Sequence, residues 1–78
     1  MIKTVNLPDA PLGSVCTVMG IDGGSFMKRR LMDLGLSEGA MISPLFKSLS
    51  GNPRAYNLRG AVIALRNEDA ELITVVPR

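Results

Sequence analysis

The sequence predicts a small, mainly β protein, a closed or nearly closed five-stranded barrel with one helix inserted after the first strand. Short runs of β-branched and apolar residues recur along the chain, separated by glycine and other turn-forming residues. One stretch has helical periodicity instead. With 78 residues, the chain is expected to form a single domain over 1–78. Closing the sheet would remove the exposed strand edges that a small core can least protect.

Five segments have the composition of strands, namely 14–21, 41–49, 54–58, 61–65 and 72–76. Pro44 lies inside the second of them. Because proline has no backbone N–H to donate, it marks either a sheet edge or a bulge. An edge at Pro44 would allow pairing with a second copy of the chain, so a homo-oligomer is left open.

The predicted helix begins at Ser25, which can cap it, and runs to about Leu34. Apolar residues near helical spacing form one apolar stripe, namely Phe26, Met27, Leu31 and Leu34, of which Leu31 and Leu34 are expected in the core. Gly35 stands where a left-handed residue ends a helix, so that Leu36 can fold back against it. Residues 67–70 predict one further helical turn.

The residues for most catalytic and metal chemistry are missing. The chain has no histidine and a single cysteine, which excludes serine triads, Cys–His pairs and imidazole metal sites. Cys16 lies in an apolar run and is expected to be a buried structural thiol. The acidic run at 68–71 favours a solvated helix start over a cation site. We therefore expect no enzyme and no cofactor, with weak divalent metal binding left open.

Charge and hydropathy suggest a cytoplasmic protein and say little about its partner. The net charge is only +2, and the one cationic run is 28–30, which weakly indicates an anionic partner. Aromatic residues are not interleaved with cations except at Tyr56, so nucleic acid is not expected. No signal peptide is evident, and no segment approaches the roughly 20 apolar residues that span a bilayer.

A set of short motifs in fixed order covers nearly the whole chain. The motifs are Arg30-Leu31, Leu34-Gly35-Leu36, Gly39, Asn52-Pro53, Gly60, Ala64-Leu65-Arg66, Asp69-Ala70 and Ile73-Thr74-Val75, with Leu7 and Gly13-Ser14-Val15 at the start. In these residues the chain resembles the FeoA family of ferrous iron transport proteins, whose domain also ends some iron-dependent repressors. Many members have Asp where this chain has Asn52. Asparagine tolerates the same turn conformations.

The resemblance implies a fold and a role. It implies an SH3-like barrel that serves as a small cytosolic accessory of bacterial ferrous iron uptake. The implied partner is FeoB, a membrane transporter with a cytosolic GTPase domain. The alternative class is a nucleic-acid-binding or metal-sensing regulatory barrel.

A docking patch is expected on the helix and the turn that follows it. Too few aromatic residues are present for a groove that binds proline-rich peptides. Methionine and leucine adapt to the shape of a partner, and arginine pairs with carboxylates. The predicted partner-binding residues are Phe26, Met27, Arg29, Arg30, Met32, Leu36 and Met41. Arg30 and Arg66 have an alternative structural role, in which each binds backbone carbonyls at the end of an element.

Overall fold

A computed structural model describes residues 3–47 and 49–78 of the chain. The strands are β1 (Val5–Asn6), β2 (Cys16–Ile21), β3 (Met41–Lys47), β4 (Arg54–Leu58), β5 (Ala61–Leu65) and β6 (Ile73–Pro77). The helices are α1 (Ser25–Asp33) and the single turn α2 (Asn67–Ala70), and a 3₁₀ turn spans Leu7–Asp9. The predicted elements are thus present, in the predicted order. Ser48, which falls in the predicted strand 41–49, lies outside the described residues.

The strands form one antiparallel sheet in the order β1-β6-β2-β3-β4-β5. Five strands were expected and the described residues form six, because Val5 and Asn6 pair with Val75 and Thr74 of β6. So short a segment, followed at once by a proline-containing turn, carries no recognisable strand pattern. Among the described residues β1 and β5 do not pair with each other, so these two strands are the edges of the sheet.

Pro44 lies in the interior strand β3, between β2 and β4. The register of β3 against β4 shifts between Pro44 and Phe46, so the predicted bulge is present. The Pro44 carbonyl accepts a hydrogen bond from the Gly13 N–H at 2.8 Å. The alternative that placed Pro44 at a sheet edge is wrong, which removes the reason it gave for self-pairing.

Helix α1 ends as its sequence indicates. The Gly35 N–H bonds to the Met32 carbonyl at 2.9 Å, and the Leu36 N–H bonds to the Leu31 carbonyl at 3.2 Å. Gly35 has a φ of 102°, which completes a Schellman motif. The start differs by one residue, because Gly24 rather than Ser25 is the N-cap. Gly24 has the extended backbone of a cap but no side chain with which to bond the helix.

The core lies inside the curved sheet, with Leu31 as the fully buried contribution of α1. Cys16 is fully buried, as predicted. Tyr56 is the largest side chain in the core, and the guanidinium carbon of Arg54 lies 5.8 Å from the centre of its ring. Arg54 is 4% exposed and donates from Nη1 to the Pro8 carbonyl. This arginine therefore ties β4 to the 3₁₀ turn.

Candidate docking groove

A groove separates α1 from the edge strand β5. Its volume is about 700 Å³, and its walls are Phe26, Arg29, Arg30, Asp33, Leu34 and Ala64. A smaller recess continues from it, sharing Arg30, Leu34 and Ala64 and adding Met27, Leu31, Leu65, Arg66 and Asp69. We call the two together the α1–β5 groove. It joins a helix face to a sheet edge, and partner segments commonly bind at both.

The α1–β5 groove exposes large apolar side chains. Phe26 is 80% exposed and Leu34 is 50% exposed. Next to Ala64 on the β4–β5 ladder lies Ala55, and Phe46 of β3 lies opposite Ala55. Phe46 is itself 59% exposed. Phe26 and Leu34 therefore give the groove an exposed apolar surface suited to receiving the side chains of a partner, and Phe46, Ala55 and Ala64 lie side by side on the neighbouring strands.

Three arginines surround these apolar side chains. Within the described chain, Arg29 and Arg30 form no ion pair, and both side chains are exposed. Arg66 Nη1 lies 3.7 Å from Glu68 Oε1, with both side chains largely in solvent. A pair so exposed is worth at most about 1 kcal/mol, so a partner carboxylate can replace it. Asp33 and Asp69 are the two carboxylates that line the groove.

The structure brings together part of the predicted docking patch. Phe26, Arg29 and Arg30 line the α1–β5 groove, and Met27 lines its recess while packing against the core. Met32 instead lines a separate cleft with Lys28. Met41 lines a third cleft, with Val15 and Arg59 among its walls. A single partner segment in the groove would therefore touch the first four residues but not Met32 or Met41.

Leu36 was expected on the patch, and this is wrong. Its relative exposure is 0%, because the Schellman motif turns the chain back and places Leu36 against the core. Leu34 is the reverse case, since it was expected in the core and is half exposed. As the C-cap residue of α1, Leu34 has left the buried stripe that ends with Leu31. Ala64 was not predicted as a site residue, because an apolar run predicts a strand without showing that β5 is an edge.

Arg66 and Arg30 were given a structural alternative, in which they bond backbone carbonyls. Among the described residues, the polar contact of the Arg66 side chain is the ion pair with Glu68, and the Arg30 side chain forms no hydrogen bond. Arg54, for which the sequence predicted no role, has that structural role instead. The sequence signal that could have indicated this role is the position of Arg54 in a predicted strand, two residues before the aromatic Tyr56.

Metal ligands do not gather in the described part of the chain. No group of three or more Cys, Asp or Glu side chains lies close enough there to hold an ion. Cys16 is buried, and its Sγ lies 3.4 Å from Ser14 Oγ. The donor set does not fit a zinc or iron site of the usual kind. In the same described residues, no helix is long and apolar enough to cross a membrane.

The family model and the similar solved structures agree on one protein family. The FeoA domain model matches residues 5–77. The solution structure of a FeoA-like protein from Clostridium acetobutylicum is 34% identical, covers 99% of this chain and 90% of its own, and superposes with a TM-score of 0.88. The FeoA protein from Chlorobium tepidum is 33% identical over 94% of this chain and 70% of its own, with a TM-score of 0.85.

A third structure shows the fold alone. FeoA from Stenotrophomonas maltophilia, crystallised with zinc and described as a prokaryotic SH3 domain protein, is 24% identical. It covers 91% of this chain and 88% of its own, with a TM-score of 0.79. The SH3-like fold is thereby confirmed. No protein with curated annotation matches the chain significantly in sequence.

Proposed function

The chain belongs to the FeoA family, and we propose on that premise that it is a non-catalytic cytosolic accessory of ferrous iron uptake, docking on a FeoB-type membrane transporter and modulating it. Membership of the FeoA family, and the suggestion that the Stenotrophomonas protein acts as a bacterial ferrous iron transport activating factor, support this pathway. The α1–β5 groove supplies the means of docking.

The observation that carries the docking proposal is the exposure of Phe26 beside arginines that form no ion pair with the described residues. The Phe26 ring is 80% exposed in the free protein. Burying it against a partner would remove apolar surface from water, which contributes favourable free energy to a complex. Arg29 and Arg30 stand on the same groove and are available to carboxylates. Aromatic residues and arginine are the side chains most enriched among those that dominate binding energy.

In this proposal the ferrous ion is cargo of the transporter and is not held by the accessory protein. The zinc in the Stenotrophomonas crystal belongs to that protein. In this chain, the described residues contain no group of three or more Cys, Asp or Glu side chains that could hold an ion. Modulation would therefore act through contact with the transporter.

A titration tests the proposal directly. The intact chain is titrated by calorimetry into the cytosolic GTPase domain of the ferrous transporter from the same organism, and separately into the full transporter in detergent. We expect binding in the micromolar range, about −8 kcal/mol. Affinity should fall as salt rises, because exposed arginines carry part of the attraction. Failure to bind either form at about 1 mM would overturn the proposal.

A further inference from the structure

The edge strand β5 (Ala61–Leu65) lacks the charge, proline and bulge that commonly protect a sheet edge. Of the strands in the described part of the chain, only β4 pairs with it. Its sequence, Ala-Val-Ile-Ala-Leu, contains no charge and no proline, and its register with β4 runs without a bulge. Val62 is 64% exposed. Proteins normally protect such edges with one of these devices, so an unprotected edge indicates a surface for pairing.

The turn before β5 fixes which backbone groups face outward. Arg59 and Gly60 both have positive φ, at 54° and 85°, and Leu58 lies opposite Ala61. This is a type I′ hairpin turn, in which the Leu58 carbonyl accepts from the Ala61 N–H. Because hydrogen-bonded pairs alternate along an antiparallel ladder, Ile63 and Leu65 also point their backbone groups toward β4.

Val62 and Ala64 therefore direct their N–H and C=O groups away from β4. Within residues 3–47 and 49–78, neither residue forms a backbone hydrogen bond on that side. Ala64 is also a wall of the α1–β5 groove, whose volume of about 700 Å³ lies next to this edge. An added strand would sit about 4.8 Å from β5 and use these four groups.

Charge selects the kind of strand that fits. Arg59 and Arg66 flank β5 on either side, and both are exposed. A second copy pairing antiparallel about Ile63 would bring Arg59 of one copy near Arg66 of the other. That arrangement places like charges together at both ends of the new ladder. A strand with acidic residues around an apolar centre would instead meet an arginine at each end.

We propose that β5 binds an extended segment of a partner by strand addition, and that the segment has an apolar centre flanked by acidic residues. The segment pairs with the outward groups of Val62 and Ala64, and its carboxylates meet Arg59 and Arg66. The inference rests on the proposed function only for the identity of the partner. The chemistry of the segment follows from this edge alone.

The probe is the blocked octapeptide Glu-Asp-Val-Ile-Val-Ile-Asp-Glu, with Lys-Arg-Val-Ile-Val-Ile-Arg-Lys as its charge-reversed control. Binding to the intact chain is followed by amide NMR and by hydrogen exchange. We expect the acidic peptide to bind with a Kd of about 100 μM or tighter. The Val62 and Ala64 amides should shift and exchange more slowly. The basic peptide should not bind, and no binding of the acidic peptide at about 1 mM would overturn the proposal.

A matched pair of variants tests the geometry. Val62→Pro removes an outward N–H while leaving every bond to β4, a position where edge strands tolerate proline. Val62→Thr keeps the N–H and serves as control. We expect Val62→Pro to weaken peptide binding about tenfold and Val62→Thr to leave it within about twofold. Equal binding by Val62→Pro and the original chain contradicts strand addition.

Methylated peptides test strand addition on the original chain, so the result does not depend on whether Val62→Pro folds. Two versions of the acidic peptide carry N-methyl groups on alternate residues. One version is methylated at the odd-numbered residues and the other at the even-numbered residues. Strand addition uses only one phase, so one version should bind and the other should not. Equal behaviour of the two contradicts the inference.

The two proposals fail separately. If the transporter domain binds the chain and loses affinity for Phe26→Ala while the acidic peptide does not bind, the proposed function stands and strand addition fails. If the acidic peptide binds the chain and the transporter does not, strand addition stands and the proposed function fails.

Discussion

At the scale of single residues, Tyr56 is the side chain whose chemistry burial changes most. Its ring is fully buried and, in the described chain, its hydroxyl has no hydrogen-bond partner. Burial raises the pKa of Tyr56 above its ordinary value of 10.0, and the nearby Arg54 guanidinium lowers it by less. The neutral phenol is therefore the form that the folded state favours.

The pKa of Tyr56 predicts a loss of stability in alkali. With the folded pKa above the unfolded value, the contribution of Tyr56 is complete below pH 10.0 and is lost as pH rises through the folded pKa. Urea unfolding between neutral pH and strong alkali checks this. Tyr56→Phe should show a smaller alkaline loss than the original chain. An identical loss in both proteins would contradict the assignment.

Tyr56→Phe also removes the unpartnered hydroxyl while keeping the ring beside Arg54. A buried polar atom without a partner costs free energy, so its removal is not expected to destabilise the fold. At neutral pH the free energy of unfolding should stay the same or rise by up to about 1 kcal/mol. A fall of more than about 1 kcal/mol would show that the hydroxyl is satisfied, for example by a bound water.

At the scale of elements, the end of α1 depends on one backbone conformation. Gly35 has a φ of 102°, and a Cβ there would lie 3.5 Å from a methyl carbon of Leu58. The space is sufficient, but the left-handed backbone is not favourable for alanine. Gly35→Ala should therefore lower the free energy of unfolding by about 1–2 kcal/mol. Gly20→Ala is the control, since Gly20 lacks a positive φ and nothing lies within 4 Å of its Cβ position.

Thermal unfolding of the two glycine variants checks this expectation. Gly20→Ala should remain within about 0.5 kcal/mol of the original chain. If both variants lose the same stability, the left-handed conformation of Gly35 is not the cause.

Asn52 links the loop before β4 to α2. Its Oδ1 accepts from the Asn67 N–H at 3.0 Å, and Asn67 Nδ2 donates to the Gly51 carbonyl at 3.1 Å. An aspartate could accept the same bond. Asn52→Asp should therefore keep stability, whereas Asn52→Ala should lose about 1 kcal/mol. Equal denaturation midpoints for Asn52→Ala and the original chain would contradict this role.

Most strands and helices could be predicted from the sequence, but the tertiary contacts of these elements could not. Short apolar and β-branched runs between glycines predicted five strands, and helical spacing with Gly35 and Leu36 predicted α1 and its end. Leu36 was still assigned to the surface, because local spacing does not show which way a Schellman motif turns the chain. The edge position of β5 depends on pairing between distant residues. The grouping of Ala64 with Phe26 depends on it too, so sequence alone did not reveal the groove.

At the scale of the whole molecule, sheet order gives the protein its asymmetry. The interior strands are paired on both sides, and β1 at one edge is only two residues long. The longer edge strand β5 lies next to α1, with exposed apolar side chains and three arginines on the groove between them. In the proposed function, this is the region at which the protein docks on its partner.

The groove predicts that two variants on the same helix differ. Phe26 lies on the α1–β5 groove, and Met32, which is 47% exposed, lies on a separate cleft. Neither side chain belongs to the buried core, so Phe26→Ala and Met32→Ala should fold like the original chain. Their thermal unfolding midpoints serve as the control for any difference in binding.

The most direct test is the affinity of these two variants for the cytosolic domain of the ferrous transporter, measured by calorimetry under one salt condition. Docking through the α1–β5 groove predicts that Phe26→Ala binds at least about tenfold more weakly than the original chain, since it removes an exposed aromatic anchor. Met32→Ala should bind within about twofold of it. Equal affinity for all three proteins, or a loss confined to Met32→Ala, would contradict docking through this groove.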